Sequence, residues 1–308
     1  MIAIRLFVSA LLFVGGHSFS RAAIAFTASG TGIQTFDALP TPSNGWSKMT
    51  IGSGNGTYTT SSAIDLVAQT MAASDITNEL ITTSVVPPSV SAQGPKWNSA
   101  LRCIQSRPAG VAADVVMATL RNDGDHDVGV LAVSYRYAAI VSSGSTIVES
   151  VPGHRVFYST TGQPSSWILV PELSNAPQGT FTNALSARIE IFGGWYPGAL
   201  LYFIWIDDDG PFGDSPPTRE GGYTIDDFLV ISPLKLNITF PDQDTIEFTW
   251  DDPHSPFCIQ WKQEIDATWV ELVCPGTAYL QPDGKYHVSM SKAALRTPCF
   301  FRLARKGA

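Results

Sequence analysis

Charge is what this chain has least of. Charged residues make up 15% of its 308 residues, and 19 Lys and Arg stand against 27 Asp and Glu, a formal charge of -8. No basic run or stripe occurs, which excludes a surface built to neutralise the phosphates of a nucleic acid. The acidic balance suits solubility and cation binding without selecting a partner. Cysteine is scarce as well: four residues are too few for a disulfide scaffold, and none has the CxxC spacing of a zinc or redox site. Beyond the N-terminus no apolar run approaches the ~18 residues that span a bilayer. Helical periodicity is also missing. The best window, Ala63 to Ala73, lacks a clean 3.6-residue repeat and leaves room only for short helical turns. Hydrophobic residues nevertheless reach 44%, enough for a packed core and too many for a disordered chain.

The N-terminus carries an export signal. Arg5 supplies the positive start, Leu6 to Gly16 the apolar stretch, and small residues offer cleavage after Ala22 (Ser20-Arg21-Ala22) or after Ala25 (Ala23-Ile24-Ala25). The apolar stretch is too short to serve as an anchor. Residues 1–25 therefore read as a removable signal, and the mature protein is expected outside the cytoplasm, secreted or periplasmic, without a stable membrane anchor.

The rest reads as all-β. Apolar residues alternate with polar ones, and turn residues recur roughly every 8 to 12 positions. Leu131, Val133, Tyr135 and Tyr137 share one face of a strand, and Ala132, Ser134 and Arg136 the other, as in an antiparallel strand covered on one side. Val115 to Leu120 reads as its hairpin partner across the turn Asn122 to Asp125. Leu201-Tyr202-Phe203-Ile204-Trp205-Ile206 is apolar on both faces, which predicts a central strand with cover on each side. At ~1.5 to 3 kcal/mol per buried large side chain, that strand is worth on the order of 10 kcal/mol before entropy. A boundary falls near Ser232-Pro233. Beyond it, strands are expected at Leu234 to Phe240, Thr245 to Trp250, Cys258 to Gln263, Thr268 to Val273, Tyr286 to Met290 and Cys299 to Leu303. They make a small sandwich around Trp250, Trp261, Trp269, Phe300 and Phe301. If a hairpin turns near Asp266, Cys258 and Cys274 are equidistant from it and form a candidate disulfide, with Cys299 a competing partner for Cys258.

Several phrases carry a resemblance: Phe36-Asp37-Ala38-Leu39-Pro40, the segment Asn122 to Tyr135, Val156-Phe157-Tyr158-Ser159 with Trp167 downstream, and Tyr202 to Asp209 followed by Thr224-Ile225-Asp226-Asp227-Phe228. In that order they resemble the secreted concanavalin A-like, or lectin-like, jelly-roll domains of planctomycete and verrucomicrobial bacteria. The C-terminal part is similar to their immunoglobulin or fibronectin-like modules, where Gln260, Trp269 and a final Phe300-Phe301-Arg302-Leu303 are typical. The resemblance implies a jelly-roll β-sandwich over 26–232 and a small immunoglobulin-like β-domain over 233–308. It says little about activity.

Five groups of residues carry candidate chemistry, each with plain packing as its alternative. Asp207, Asp208 and Asp209 end the apolar strand, Asp214 follows, and Asp226 and Asp227 lie on the next strand. If the two strands pair, the carboxylates meet at one end of a sheet, and their hard oxygens suit Ca²⁺; the alternative is a solvated turn with carboxylates capping backbone amides. Asp123-Gly124-Asp125-His126-Asp127 starts like an EF-hand loop but lacks the closing Glu, so it reads as a turn. Glu264 and Asp266 resemble the acids of jelly-roll glycosidases, yet Glu271 is too far along and the motif crosses a turn. His126, His154, His254 and His287 accompany no Gly-x-Ser-x-Gly elbow and no His-Glu-x-x-His motif, and His154 reads as a turn residue. Gly52 to Gly56 lacks the lysine of a phosphate loop. Trp46, Trp97, Trp167 and Trp195 fall near expected loops. Rings there can stack on sugars, though aromatic side chains are more often core; Trp195 and Tyr196, within Gly193 to Gly198, are the candidate ligand-binding pair.

The sequence supports three functions in descending order: a secreted, non-catalytic module that binds glycan or another extracellular surface, assisted by Ca²⁺; a structural spacer; and a secreted glycoside hydrolase with an unrecognised site. No catalytic residue is assigned.

Overall fold

In the computed structural model, residues 22–52, 57–87, 94–108, 110–140, 151–174, 182–209, 222–233, 237–250, 257–262, 270–273, 279–280, 286–291 and 300–305 are described. Residues 1–21 of the expected 1–25 export signal and the Glu264–Asp266 motif lie outside them, as do Asp214, Cys274 and Cys299. The chain passes through β1 (Ile24–Phe26), β2 (Trp46–Ile51), α1 (Ser61–Ala68), β3 (Ile81–Thr83), β4 (Lys96–Asn98), β5 (Cys103–Ser106), β6 (Ala113–Asn122) and β7 (Val128–Ile140). It continues through β8 (Arg155–Ser159), β9 (Ile168–Leu169), α2 (Pro171–Ser174), β10 (Thr182–Trp195), β11 (Leu200–Asp208) and β12 (Gly222–Ile231). The fold is all-β, as the alternation predicts.

Two six-stranded sheets face each other. The first has the order β1-β6-β11-β8-β9, with β2 also on β6; the second has the order β10-β7-β12-β5-β4-β3. Strand β11 does sit centrally, between β6 and β8. Its odd residues, Leu201, Phe203 and Trp205, join Leu131, Val133, Tyr135 and Phe228 of the other sheet in one core. Its even residues, Tyr202, Ile204 and Ile206, pack outward against Ile64, Ala68, Met71 and Trp167. The two-faced apolar run thus has cover on each side, and α1 supplies part of it. Thr60 caps that helix by accepting from the Ala63 amide at 3.2 Å, and Ile64 and Ala68, one turn apart, are its buried residues. The Ala-rich window is a two-turn helix because a cap and one buried stripe suffice over that length.

Two expectations about pairing are corrected. Strands β6 and β7 are not a hairpin: β6 pairs with β1, β2 and β11, and β7 with β10 and β12. Their apolar faces meet across the core instead, so the Asn122 to Asp127 turn crosses between sheets. Alternation marks a buried face and does not say whether the partner is hydrogen-bonded beside it or packed over it. Likewise β12 pairs with β5 and β7 in the second sheet, not with β11.

After Ile231 a new set begins: β13 (Asn237–Thr239), β14 (Thr245–Trp250), β15 (Phe257–Lys262), β16 (Val270–Val273), β17 (Tyr279–Leu280), β18 (Tyr286–Ser291) and β19 (Phe300–Arg305). Among the described residues they pair with one another, as β13-β14-β18-β17 and β16-β15-β19. Phe248 and Phe301, 4.9 Å apart between ring centres, join these two sheets. Ile259 lies opposite Val273 on the β15–β16 ladder; of the candidate disulfide, Cys274 lies outside the described residues.

Candidate functional site

The alternation that buries Leu201, Phe203 and Trp205 continues into Asp207. On β6 the face of Leu120, Ala118 and Val116 continues into Asp114. The β6–β11 register sets Asp207 directly opposite Asp114, so two carboxylates stand side by side, facing the core, at exposures of 0% and 1%. Lys48, two positions beyond Trp46 on β2, shares this face and is also buried. Gly94, at φ +75°, packs here: a Cβ on it would lie 3.6 Å from both Asp114 Oδ1 and Lys48 Nζ. The Arg107 amide donates to Asp114 Oδ2 at 3.4 Å, and the Gly110 amide donates to Asp209 Oδ2 at 3.0 Å.

Burial dominates the electrostatics. It pushes the Asp114 carboxyl up to about 7, against the Arg107 amide and the Lys48 and Lys96 ammonium groups, with Asp209 adding to the rise. It brings Lys48 down to about 8, opposed by Asp114. Asp208 turns to the opposite face, where burial also raises it to about 7; neither of its carboxyl oxygens has a hydrogen-bond partner among the described residues. Buried acids and amines moved toward neutrality are a feature of functional sites and of structural ion networks alike.

His154, expected in a turn, is instead buried beside this row, edge-on to Tyr137 and Tyr223. Its Nε2 lies 2.8 Å from Ser106 Oγ, and Nδ1 has no partner among the described residues. Desolvation drops the imidazole to about 3. A serine nucleophile needs a base that takes a proton and a third group that orients the base. Burial holds this histidine neutral, and among the described residues no group orients it through Nδ1.

The candidate ligand-binding pair divides. Trp195 is 1% exposed, its ring 4.9 Å from Phe26 and its Nε1 donating to the Ala199 carbonyl at 3.0 Å. It is core and offers no face to a ligand. Trp46 and Trp167 are buried too, and Trp97 donates to the Phe36 carbonyl from a half-buried position. Tyr196 is exposed, and so is Phe192, at 103%. Between them Gly193 and Gly194 take φ of +82° and +81°, a left-handed kink suited to glycine, where the β10 register breaks between Glu190 and Trp195. Alternation with buried Ile189 and Ile191 sets Phe192 on the outer face with Arg188 and Glu190, and past the break Trp195 turns inward. Phe192 was missed although the alternation of Ile189 and Ile191 with Arg188 and Glu190 places it on the outer face, because an apolar ring beside two glycines resembles core next to a turn.

The five aspartates proposed for Ca²⁺ do not come together. Asp207 and Asp209 face the interior from the first sheet and Asp208 its outer side. Asp226 and Asp227 belong to β12 in the second sheet, where Asp227, at φ +49°, forms a bulge and meets Arg136 at 3.3 Å. Among the described residues no group of three His, Cys, Asp or Glu suits a metal ion. In the EF-like segment, Asp123 pairs with Arg121, and Asn122 bonds the His126 and Trp195 carbonyls, as turn chemistry requires. Among the described residues no helix is long and apolar enough to cross a membrane.

No family model matches the chain, and no curated protein matches it. Among solved structures, the enzymatically active domain of tailspike protein 4 from bacteriophage CBA120 is similar at 10% identity and a TM-score of 0.30. The match covers 67% of this chain and 21% of that one, so this chain spans about a fifth of the phage structure's length.

Proposed function

We propose that the chain is an exported, non-catalytic binding module of the lectin-like jelly-roll kind, and that its contact surface is the kinked end of β10. The observation that carries this reading is Phe192, a large ring held wholly in solvent, with Tyr196 also exposed four positions further along the chain. An apolar ring left in water can stack on the flat face of a sugar, while Arg188 and Glu190, exposed on the same strand, can bond hydroxyl groups. The ligand class is an extracellular glycan.

A screen of polysaccharides against wild type, Phe192→Ser and Tyr196→Ala, each with and without EDTA, tests the proposal. Binding that falls at least about tenfold in either variant supports it. Equal binding by all three overturns it and favours the spacer reading, and loss with EDTA alone restores a role for Ca²⁺. A hydrolytic reading has one observation in its favour, the facing Asp114 and Asp207. Their burial weighs against it, since acid and base must reach substrate and water.

A further inference from the structure

We propose that β10 is a self-pairing edge: two copies of this chain join antiparallel along it, with Arg188 of each opposite Glu190 of the other, across a two-fold axis at Ile189. The inference stands apart from the glycan reading, because pairing uses the backbone edge of β10 and leaves its outer face open. Strand β10 ends its sheet, and among the described residues β7 is its only ladder partner. It runs 14 residues. The other edges are short or covered: β1 and β3 run three residues each and β9 two, and Lys48 of β2 exchanges backbone bonds with Asn78. Short and covered edges keep sandwiches from joining one another. From Thr182 to Phe192, β10 has no proline and no lysine, and its register holds as far as Glu190.

The neighbouring strands fix which backbone groups point out. The Ala138 amide donates to Thr224 Oγ1 at 2.9 Å, so Ala138 turns its backbone toward β12. Alternation then turns Tyr135, Val133 and Leu131 toward β10, where they meet Leu185, Ala187 and Ile189. Ser186, Arg188 and Glu190 therefore aim their amides and carbonyls away from β7. The Tyr158 hydroxyl donates to the Glu190 carbonyl at 3.1 Å, as a carbonyl turned out of the ladder allows, and that oxygen keeps a second lone pair for a strand partner.

Charge selects the register. With the axis at Ile189, each exposed Arg188 stands directly opposite an exposed Glu190, and each such pair exchanges both backbone bonds. Moving the axis to Arg188 or to Glu190 sets like charges opposite each other, which destabilises the pairing. On the inner face Ile189 meets its own copy and Ala187 meets Ile191, all of them apolar and already buried. A contact that uses the same patch on both copies closes at two.

Sedimentation velocity over a range of concentrations tests the pairing with wild type, Arg188→Glu and Glu190→Arg. Wild type is expected to dimerise. Each variant sets like charges opposite each other on both sides of the axis, so its dimerisation constant falls by at least about tenfold. Mixed in equal amounts, the two variants are complementary, and dimer returns. That recovery also shows that both are folded. A wild type that stays monomeric, single variants that dimerise as wild type does, or a mixture no better than its components overturns the proposal. The first of these outcomes leaves the edge to an extended segment of another protein. Since no glycan enters the measurement, failure here leaves the glycan reading untouched.

Discussion

Arg155 on β8 grips Asp65 on α1 with two of its guanidinium nitrogens: Nε donates to Oδ1 at 2.9 Å, and Nη2 donates to Oδ1 and Oδ2 at 2.7 Å each. The guanidinium is nearly buried and the carboxylate about one-third exposed. A forked contact of this kind fixes direction as well as charge, and here it pins the helix over the outer face of the first sheet. Removing one partner strands the other. Asp65→Ala is expected to cost about 2 kcal/mol, less than a fully buried pair because of the exposed side. Arg155→Lys should recover little of the loss in Arg155→Ala, because an ammonium cannot fork. Denaturant midpoints measure both, and a full recovery by lysine would show that charge alone holds the helix.

Trp195 and Phe192 make opposite predictions although only two glycines separate them. Trp195→Ala empties a core site and should lower stability by about 3 to 5 kcal/mol. Phe192→Ser touches nothing buried and should stay within about 0.5 kcal/mol of wild type. Thermal melts of the two variants separate the rings cleanly. A destabilised Phe192→Ser would mean that the ring is packed, and the binding surface would have to be sought elsewhere.

The sheets were legible in the sequence to the extent that alternation decides which face is covered. Leu131 to Tyr137 and Leu201 to Ile206 are buried as their patterns require, and the late strands fall close to their expected positions, apart from β17, whose two residues are too few to show a period. Pairing was not legible, because Val115 to Leu120 has the same alternation whether its partner lies beside it or above it. The carboxylate pair was within reach: counting by twos from Leu201 arrives at Asp207, and from Leu120 at Asp114. Reading the three consecutive aspartates as one cluster hid the fact that neighbours on a strand face opposite ways. His154 left no trace in sequence, since a histidine after Pro-Gly resembles a turn whether or not the chain then dives inward.

The interior of the first sheet should give stability an unusual pH profile. His154 is depressed from 6.5 to about 3, so the unfolded chain takes up a proton there that the folded chain refuses. Its contribution is present above pH 6.5 and is lost as pH falls toward 3. Asp208 is raised from 3.8 to about 7 and works the other way, with its contribution present below 3.8 and lost as pH rises through 7. Between about pH 4 and 6.5 the two oppose each other. His154→Asn removes one leg, so stability should fall more steeply with rising pH across that window than in wild type. Melts at several pH values show it, and an unchanged slope would place His154 in contact with water.

If residues 1–25 are the export signal that the sequence leads one to expect, β1 bears on where it can be cut. Ile24 and Phe26 are both buried in the main core, and Ile24 and Ala25 lie opposite Leu120 and Arg121 on the parallel β1–β6 ladder. Gly45 packs so closely over Ile24 that a Cβ on it would fall 2.7 Å from the Ile24 nitrogen. Cleavage after Ala25 would remove Ile24 and leave its place at the sheet edge empty, at a cost of about 2 to 5 kcal/mol by analogy with truncating a buried isoleucine. Cleavage after Ala22 leaves β1 whole. The mature protein is therefore expected to begin at Ala23, and intact-mass measurement of exported material distinguishes the two ends. A start at Phe26 would mean that β1 contributes little to the folded state, and a chain made without residues 1–25 should then melt no lower than one beginning at Ala23.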